Sequence, residues 1–148
     1  MKPNLVVIII LNLNKKDDTL ECIESLYKLD CSSFEIVVVD NGSSDGSSAA
    51  IKSKFPKVNL LESETNLGVS GGRNFALNFI RENLDFKYIL LLDNDIIIDK
   101  KALSEMVKSI NSRPDIGIVT PKCYIMRLPG IINYAGGMSV NLYTGNIS

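Results

Sequence analysis

The sequence predicts an α/β domain built on a mostly parallel sheet with helices on both faces. Three observations carry that expectation. Short, wholly apolar runs alternate with stretches of helical periodicity. The runs lack the in–out alternation of a strand with one wet face, so they read as strands buried on both sides. Each major run also stops at polar turn residues, and in such sheets ligands bind beyond the carboxyl ends of the strands.

Leu5–Leu11 is the first expected strand. A signal peptide is the rival reading, but the run is short and leads straight into Asn12, Asn14, Lys15, Lys16, Asp17 and Asp18 with no small-residue cleavage site. Asp18-Thr19-Leu20-Glu21 resembles a capping box opening a helix with the apolar stripe Leu20, Ile23, Leu26 and Tyr27. Glu35–Val39 is the second strand and ends at Asp40. Asn41-Gly42-Ser43-Ser44-Asp45 then supplies turn and cap residues for a weak helix from about Ser47 to Phe55, which Pro56 closes. Val58–Leu61 is a third strand and Glu64–Gly68 a loop. Gly71 and Gly72 open a helix carrying Phe75, Ala76, Phe79 and Ile80. Tyr88–Leu92 is a fourth strand ending at Asp93. Asp99 caps a helix with Leu103, Met106, Val107 and Ile110 at helical spacing, and Ile116–Val119 is a fifth strand closed by Pro121. The tail from Ile131 to Ser148 reads as a hairpin or an irregular extension.

Composition narrows the chemistry. The 148 residues suit one domain, and 45% hydrophobic content is enough for one core. A net charge of −1 gives no basic face for a nucleic-acid partner. Cys22, Cys31 and Cys123 are odd in number and form no CxxC, which argues for reduced thiols in a cytoplasmic protein. The absence of histidine excludes His-based triads, His metal ligands and a His general base. No stretch approaches the ~20 apolar residues of a membrane span.

The strand ends carry the candidate site. Asp93-Asn94-Asp95 places two carboxylates two residues apart, and in an extended segment both would face the same way. Two hard oxygen donors suit Mg2+ or Mn2+, with water and phosphate oxygens completing the shell. A solvated turn with capping acids would look the same. Asp40 could accept hydrogen bonds from a nucleobase N–H or a ribose hydroxyl; as a turn aspartate before Asn41-Gly42 it is equally ordinary. In Glu64–Asn74 the glycines would let backbone approach a ligand and leave helix amides free, and Arg73 could pair with a diphosphate. The bland alternative is a flexible loop with a surface arginine. Neither GxGxxG nor the P-loop pattern GxxxxGK[ST] is spelled there.

Five stretches, VVIIILNLNKKDDTLECIESL, EIVVVDNGSSDGS, ETNLGVSGGRNFAL, YILLLDNDIII and DIGIVTPK, stand in the order found in family 2 glycosyltransferases. Over residues 4–122 the chain resembles that group, including its rhamnosyltransferase-like members, and Tyr134-Ala135-Gly136-Gly137 is a weaker echo. The resemblance implies a Rossmann-like GT-A fold, with a nucleotide-sugar-binding domain over 1–122 and the start of an incomplete acceptor-side extension over 123–148. It places Asn12 and Asn14 against the nucleotide, although a proline and a threonine are common in the family near Leu11 and Asn12. It makes Asp40 the base-binding acid and sets Gly72, Arg73, Asn74 and Asn94 at the sugar nucleotide. Asp95 becomes the main ligand of Mn2+ or Mg2+, and Asp93 contacts ribose or metal-bound water.

The reaction implied is an inverting displacement by an acceptor hydroxyl on a UDP- or dTDP-sugar, with a glycan or lipid-linked acceptor, at the cytoplasmic face of the membrane. The general base of the family lies well downstream of its DxD. Glu105 and Asp115 are the only acids after Asp99, and neither fits, so the chain is expected to be a donor-binding fragment with the base beyond Ser148. Two rivals are a non-catalytic nucleotide-binding module and a haloacid-dehalogenase-like phosphatase with Asp93 as nucleophile. The second usually wants Thr or Val where this chain has Ile97.

Overall fold

The computed structural model describes residues 5–126, 128 and 130–135. The elements run β1 (Val6–Asn12), α1 (Lys16–Leu26), β2 (Phe34–Asp40), α2 (Ser47–Lys54), β3 (Asn59–Glu62), α3 (Gly68–Asn83), β4 (Tyr88–Asp93), α4 (Ala102–Asn111), β5 (Cys123–Tyr124) and β6 (Ile132–Tyr134). They form two compact units, one through Leu103 and one from Ser104. That division falls inside α4, ahead of the boundary at residue 122 expected from the sequence.

The first unit is a four-stranded sheet in the order β3-β2-β1-β4 with every pairing parallel. The apolar runs became these strands because both of their faces are covered. Val7, Ile9, Val37 and Val39 pack against Ala76 and Ile80 of α3. The intervening Val6, Ile8, Ile10, Ile36 and Val38 are also buried and point to the opposite face, with Cys22, Ile23 and Leu26 of α1 and Ile51 of α2 buried as well. The chain steps from β1 to β2 to β3, then returns past β1 to β4. Right-handed crossovers in opposite directions put α1 and α2 on one face and α3 on the other. The reversal flanks β1, so the carboxyl ends of β1, β2 and β4 meet at a topological switch point.

Four of the expected strands are present within a residue or two of their expected limits, and Asp99 forms a turn just ahead of α4, its Oδ1 accepting from Lys101 N at 2.8 Å and its carbonyl from Ala102 N at 2.9 Å. Three expectations need correction. The capping box at Asp18 does not form: Thr19 N donates to Lys15 O at 2.9 Å, so α1 starts at Lys16 and Asp17 and Asp18 lie in its first turn, where the helix dipole favours acids. The buried stripe is accordingly Thr19, Cys22, Ile23 and Leu26, with Tyr27 exposed. Helix α3 begins at Gly68 rather than at Gly71, because Asn41 Oδ1 accepts from Leu67 N (3.0 Å) and Asn66 Oδ1 from Gly68 N (2.8 Å), capping it earlier. Ile116–Val119 is not a strand, and Ile118 is 90% exposed. A strand exists through its ladder partners, and this run has none among the described residues.

In the second unit, β5 and β6 pair antiparallel. Of the tail expected to be a hairpin or an irregular extension from Ile131 to Ser148, the described part contributes β6, which pairs with Cys123–Tyr124 upstream. Residues 136–148, including Gly136 and Gly137, lie outside the described residues.

Candidate functional site

Register determines what each strand end offers. Asn12 stands level with Asp40 of β2, whereas Leu11 stands level with Asp93 of β4. That offset of one residue sends Asp40 to the face of α1 and α2 and Asp93 to the face of α3. The two acids therefore flank the end of β1 at one sheet edge, two strand spacings or about 10 Å apart laterally. They do not share a face of the sheet, although both stand at its carboxyl end.

On the α1/α2 face, Asp40 is only 3% exposed. Its Oδ1 accepts from Ser43 N (3.0 Å) and, at longer range, from Asn12 Nδ2 (3.5 Å), and its Oδ2 accepts from the Ser48 hydroxyl. Asn12 is fully buried. Its Nδ2 also donates to Ser43 Oγ (3.0 Å), and its Oδ1 accepts from Thr19 Oγ1 (2.8 Å). With its polar atoms engaged inside the fold, the Asn12 side chain holds the site together and is not free to meet a ligand, contrary to the expectation for it.

Asn14 is exposed and left-handed, with φ 52°. Its N–H donates to Ser43 Oγ at 2.9 Å and its Oδ1 accepts from Ser44 N at 2.8 Å, tying the loop after β1 to the loop after β2. Asp45 completes this seam by accepting from Lys16 N (3.0 Å) and Ser47 N (3.0 Å), and the Ser47 hydroxyl holds its carboxyl below the ordinary value.

At the start of α3, Asn41 is the clamp. It is buried, and its Nδ2 donates to Asn66 Oδ1 (2.9 Å) and Gly68 O (3.3 Å). Gly42 just after it has φ 85°, and a Cβ there would lie 3.1 Å from the Thr65 backbone, so the β2–α2 turn and the loop before α3 touch only because this residue is glycine. Gly72 is buried inside the helix, where a Cβ would meet Leu11 Cδ2 at 3.0 Å. It permits close packing of α3 on β1 and offers no free amide, so the amides without intrahelical partners lie before Gly71, from Leu67 to Ser70. Arg73 is on the next turn, and its Nη2 donates to Asp93 Oδ1 at 3.2 Å. Asn74 is exposed.

Asp93 closes β4, and Asn94 and Asp95 form a turn in which Ile96 N donates to Asp93 O at 3.3 Å. The DxD is thus a strand end and a turn, not a continuous extended segment. Its two acids are exposed, Asp93 with 72% of its side chain, while Asn94 turns inward and its Nδ2 donates to Thr19 Oγ1 at 3.1 Å. Among the described residues no group of three or more carboxylate or thiol side chains assembles. Two exposed hard oxygen donors suit a divalent cation whose remaining positions are filled by water and phosphate. The DxD fits that pattern and does not by itself make a closed cage.

Cys22 lies beneath this turn, its Sγ donating to Asp93 O at 3.7 Å. Burial, then the negative charge of Asp95 and of Asp93, push its thiol up to about 12. It is therefore neither a nucleophile nor a thiolate ligand near neutral pH. Iodoacetamide at pH 8 should label Cys31 and Cys123 in the native protein and reach Cys22 only after denaturation; peptide mass mapping reads the outcome, and native labelling of Cys22 would refute the buried position.

Thr19, Asn41, Ser43 and Ser48 carry much of this geometry and were not legible as site residues. The one available signal was Thr19, a polar residue at the i, i+3, i+4, i+7 spacing of an otherwise apolar buried stripe.

Comparison with known proteins places this arrangement. Residues 7–130 match the protein family described as "Glycosyl transferase family 2". The poly-beta-1,6-N-acetyl-D-glucosamine synthase of Staphylococcus epidermidis is 29% identical over 107 residues, 72% of this chain and 26% of that protein. The low-salt glycan biosynthesis hexosyltransferase Agl10 of Haloferax volcanii is 30% identical over 115 residues, 78% of this chain and 35% of that one. Among solved structures, residues 1–349 of S. aureus TarS superpose with a TM-score of 0.61 at 30% identity, covering 72% of this chain and 32% of that 1–349 piece, which has also been solved in complex with UDP-GlcNAc. A mannosyltransferase of Pyrobaculum calidifontis shares the fold with a TM-score of 0.65 at 24% identity, over 76% of this chain and 33% of that one. The chain spans about a quarter to a third of the length of these relatives.

Proposed function

Because this chain belongs to glycosyl transferase family 2, we propose that it forms the donor-binding part of an inverting, metal-dependent glycosyltransferase that takes a nucleoside-diphosphate sugar. Membership of that family displaces the phosphatase reading of Asp93. The observation that carries the proposal is the flanking of β1 by two kinds of acid at one sheet edge. Asp40 on one side is held in a dry hydrogen-bonded setting suited to a nucleobase N–H. Asp93 and Asp95 on the other are exposed beside Arg73 and suited to a cation and a diphosphate. The separation of the two is comparable with the reach from a nucleobase to its diphosphate.

In this reading Asp95 and Asp93 hold Mn2+ or Mg2+, which supplies charge neutralisation for the departing diphosphate. Arg73 leaves Asp93 to pair with the diphosphate, adding a second positive charge at the point where negative charge develops. Asn74 and Asn94 border the sugar nucleotide, Gly72 lets α3 sit close to β1, and Asn12 and Asn14 hold the two loops around the base in place. No described residue is assigned as the base that deprotonates the acceptor: Glu105 is exposed on α4 and Asp115 is paired with Arg113. The TarS complex supports a UDP-sugar, with a dTDP-sugar as the alternative, and the relatives' names support a glycan acceptor, with a lipid-linked one as the alternative. Among the described residues no helix is long and apolar enough to cross a membrane. We place the donor site on the cytoplasmic side, where such sugars are made.

Calorimetry and thermal shift with UDP, dTDP and GDP, each with Mn2+, Mg2+ or chelator, test the proposal. One nucleotide should raise the melting temperature in proportion to the logarithm of its concentration, and only with the cation present. Binding of none of them, with cation at millimolar concentration, would remove the donor-site reading.

A further inference from the structure

The least expected feature of the edge is a buried polar relay that joins its two halves. Asn94, the middle residue of the DxD, donates to Thr19 Oγ1 at 3.1 Å. Thr19 Oγ1 donates to Asn12 Oδ1 at 2.8 Å. Asn12 Nδ2 donates to Ser43 Oγ at 3.0 Å and reaches Asp40 Oδ1 at 3.5 Å. Thr19 and Asn12 are fully buried, and among the described residues no buried side-chain nitrogen or oxygen lacks a partner.

We propose that Thr19 is a positioning residue that fixes the turn of Asn94 and Asp95 relative to Asp40, and so sets how a cation held at the turn lines up with a nucleotide held at Asp40. The inference rests on the donor-site reading above and deepens it. The chemistry at the relay is restrictive. The side chain at 19 accepts from an amide and donates to an amide oxygen through one atom, and among side chains of that size only the hydroxyls of serine and threonine do both well at a single atom. The relay also explains why a threonine occupies a helix face otherwise given to Cys22, Ile23 and Leu26. Asp93 is set by the sheet register through its pairing with Leu11, whereas Asp95 lies past the ladder, in the turn. Its orientation therefore depends on what anchors the turn: Cys22 Sγ on Asp93 O and Ser25 Oγ on Ile98 N hold the backbone on either side, and Asn94 on Thr19 is the anchor made by a side chain of the turn itself.

The test compares the native chain with Thr19→Ser, Thr19→Val and Asn94→Ala, using whichever of UDP, dTDP or GDP the native chain binds best. Two constants are measured: Mn2+ affinity at saturating nucleotide, and nucleotide affinity in chelator. Thr19→Val and Asn94→Ala should each weaken Mn2+ binding by about five- to tenfold, the scale of one hydrogen bond, with nucleotide binding in chelator changed less than twofold in Thr19→Val. Thr19→Ser should restore Mn2+ binding to within about twofold, and the double variant Thr19→Val/Asn94→Ala should lose no more than either alone. Asn94 is only half-buried, so its alanine variant remains informative if Thr19→Val fails to fold. A folded Asn94→Ala chain that binds Mn2+ as the native does would overturn the positioning role and leave the donor site intact. Absence of nucleotide binding in the native chain would remove both.

Discussion

Asp95→Ala is expected to abolish the response of nucleotide binding to Mn2+ while leaving the melting temperature of the unliganded protein within a degree or two, on the scale of an ordinary surface substitution. The argument begins from exposure. Asp95 protrudes from the turn after β4, and removing it opens no cavity and strands no buried donor. Its loss in function is large for a different reason. The DxD supplies two carboxylates, and among the described residues no third acid or thiol stands with them, so each would be a substantial share of the protein's charge at a cation. Changes to groups that merely orient metal ligands cost about 10- to 100-fold in affinity, and deleting a ligand should reach about 100-fold or more. Asp93→Ala differs in a checkable way. Asp93 is also the partner of Arg73, so its removal frees the guanidinium for the diphosphate and partly offsets the lost donor. Nucleotide affinity in chelator should therefore rise in Asp93→Ala and stay unchanged in Asp95→Ala. Both constants come from calorimetry with and without Mn2+, and an Asp95→Ala chain that still responds fully to the cation would exclude Asp95 as a ligand.

That contrast between neighbouring acids was only half legible in the sequence. The β-branched and leucine-rich runs show where β1, β2 and β4 lie, because a strand covered on both faces cannot hide its composition, and Asp40 and Asp93 are visible as the first acids beyond them. The faces to which those acids point depend on register. Register is set by pairing, Asn12 with Asp40 but Leu11 with Asp93, and a single sequence does not print it. The start of α1 was misplaced as well. Asp18-Thr19-Leu20-Glu21 has local capping chemistry, but Thr19 N already donates to Lys15 O, so the helix begins a turn ahead of the point where Asp18 could cap it. Asn41 was legible as a turn residue and not as the clamp on the start of α3, since its partners lie 25 and 27 positions away. Ile116–Val119 has strand composition, and composition alone provides no partner for its backbone.

The second large effect concerns Asp40, where two substitutions should separate stability from recognition. A carboxylate offers about four lone-pair positions, and three here are engaged: Oδ1 by Ser43 N and Asn12 Nδ2, Oδ2 by the Ser48 hydroxyl. Asp40→Ala takes the acceptor from Ser43 N and the Ser48 hydroxyl, both half-buried, and the longer contact from Asn12 Nδ2, which keeps Ser43 Oγ, and should destabilise the fold by about 1–3 kcal/mol, lowering the melting temperature by on the order of 10 °C. Asp40→Asn is different. Its carbonyl oxygen must take the Oδ1 position to keep Ser43 N and Asn12 satisfied, which puts the NH2 group at Oδ2. Ser48 tolerates that, since a hydroxyl can accept as readily as it donates, and stability should change by less than about 1 kcal/mol. The vacant position on Asp40, however, also belongs to Oδ2. A nucleobase N–H arriving there, past the half-buried Ser48, meets an acceptor in the native chain and a donor in Asp40→Asn. Nucleotide affinity should fall about 10- to 100-fold, the range for a hydrogen bond to a charged group, and the loss should be the same with and without Mn2+, since the cation lies across β1 from this acid. Thermal unfolding and calorimetry on the two variants separate the possibilities. A stable Asp40→Asn protein with native nucleotide affinity would make Asp40 a turn residue of the fold and send the search for the base-reading group elsewhere along the edge.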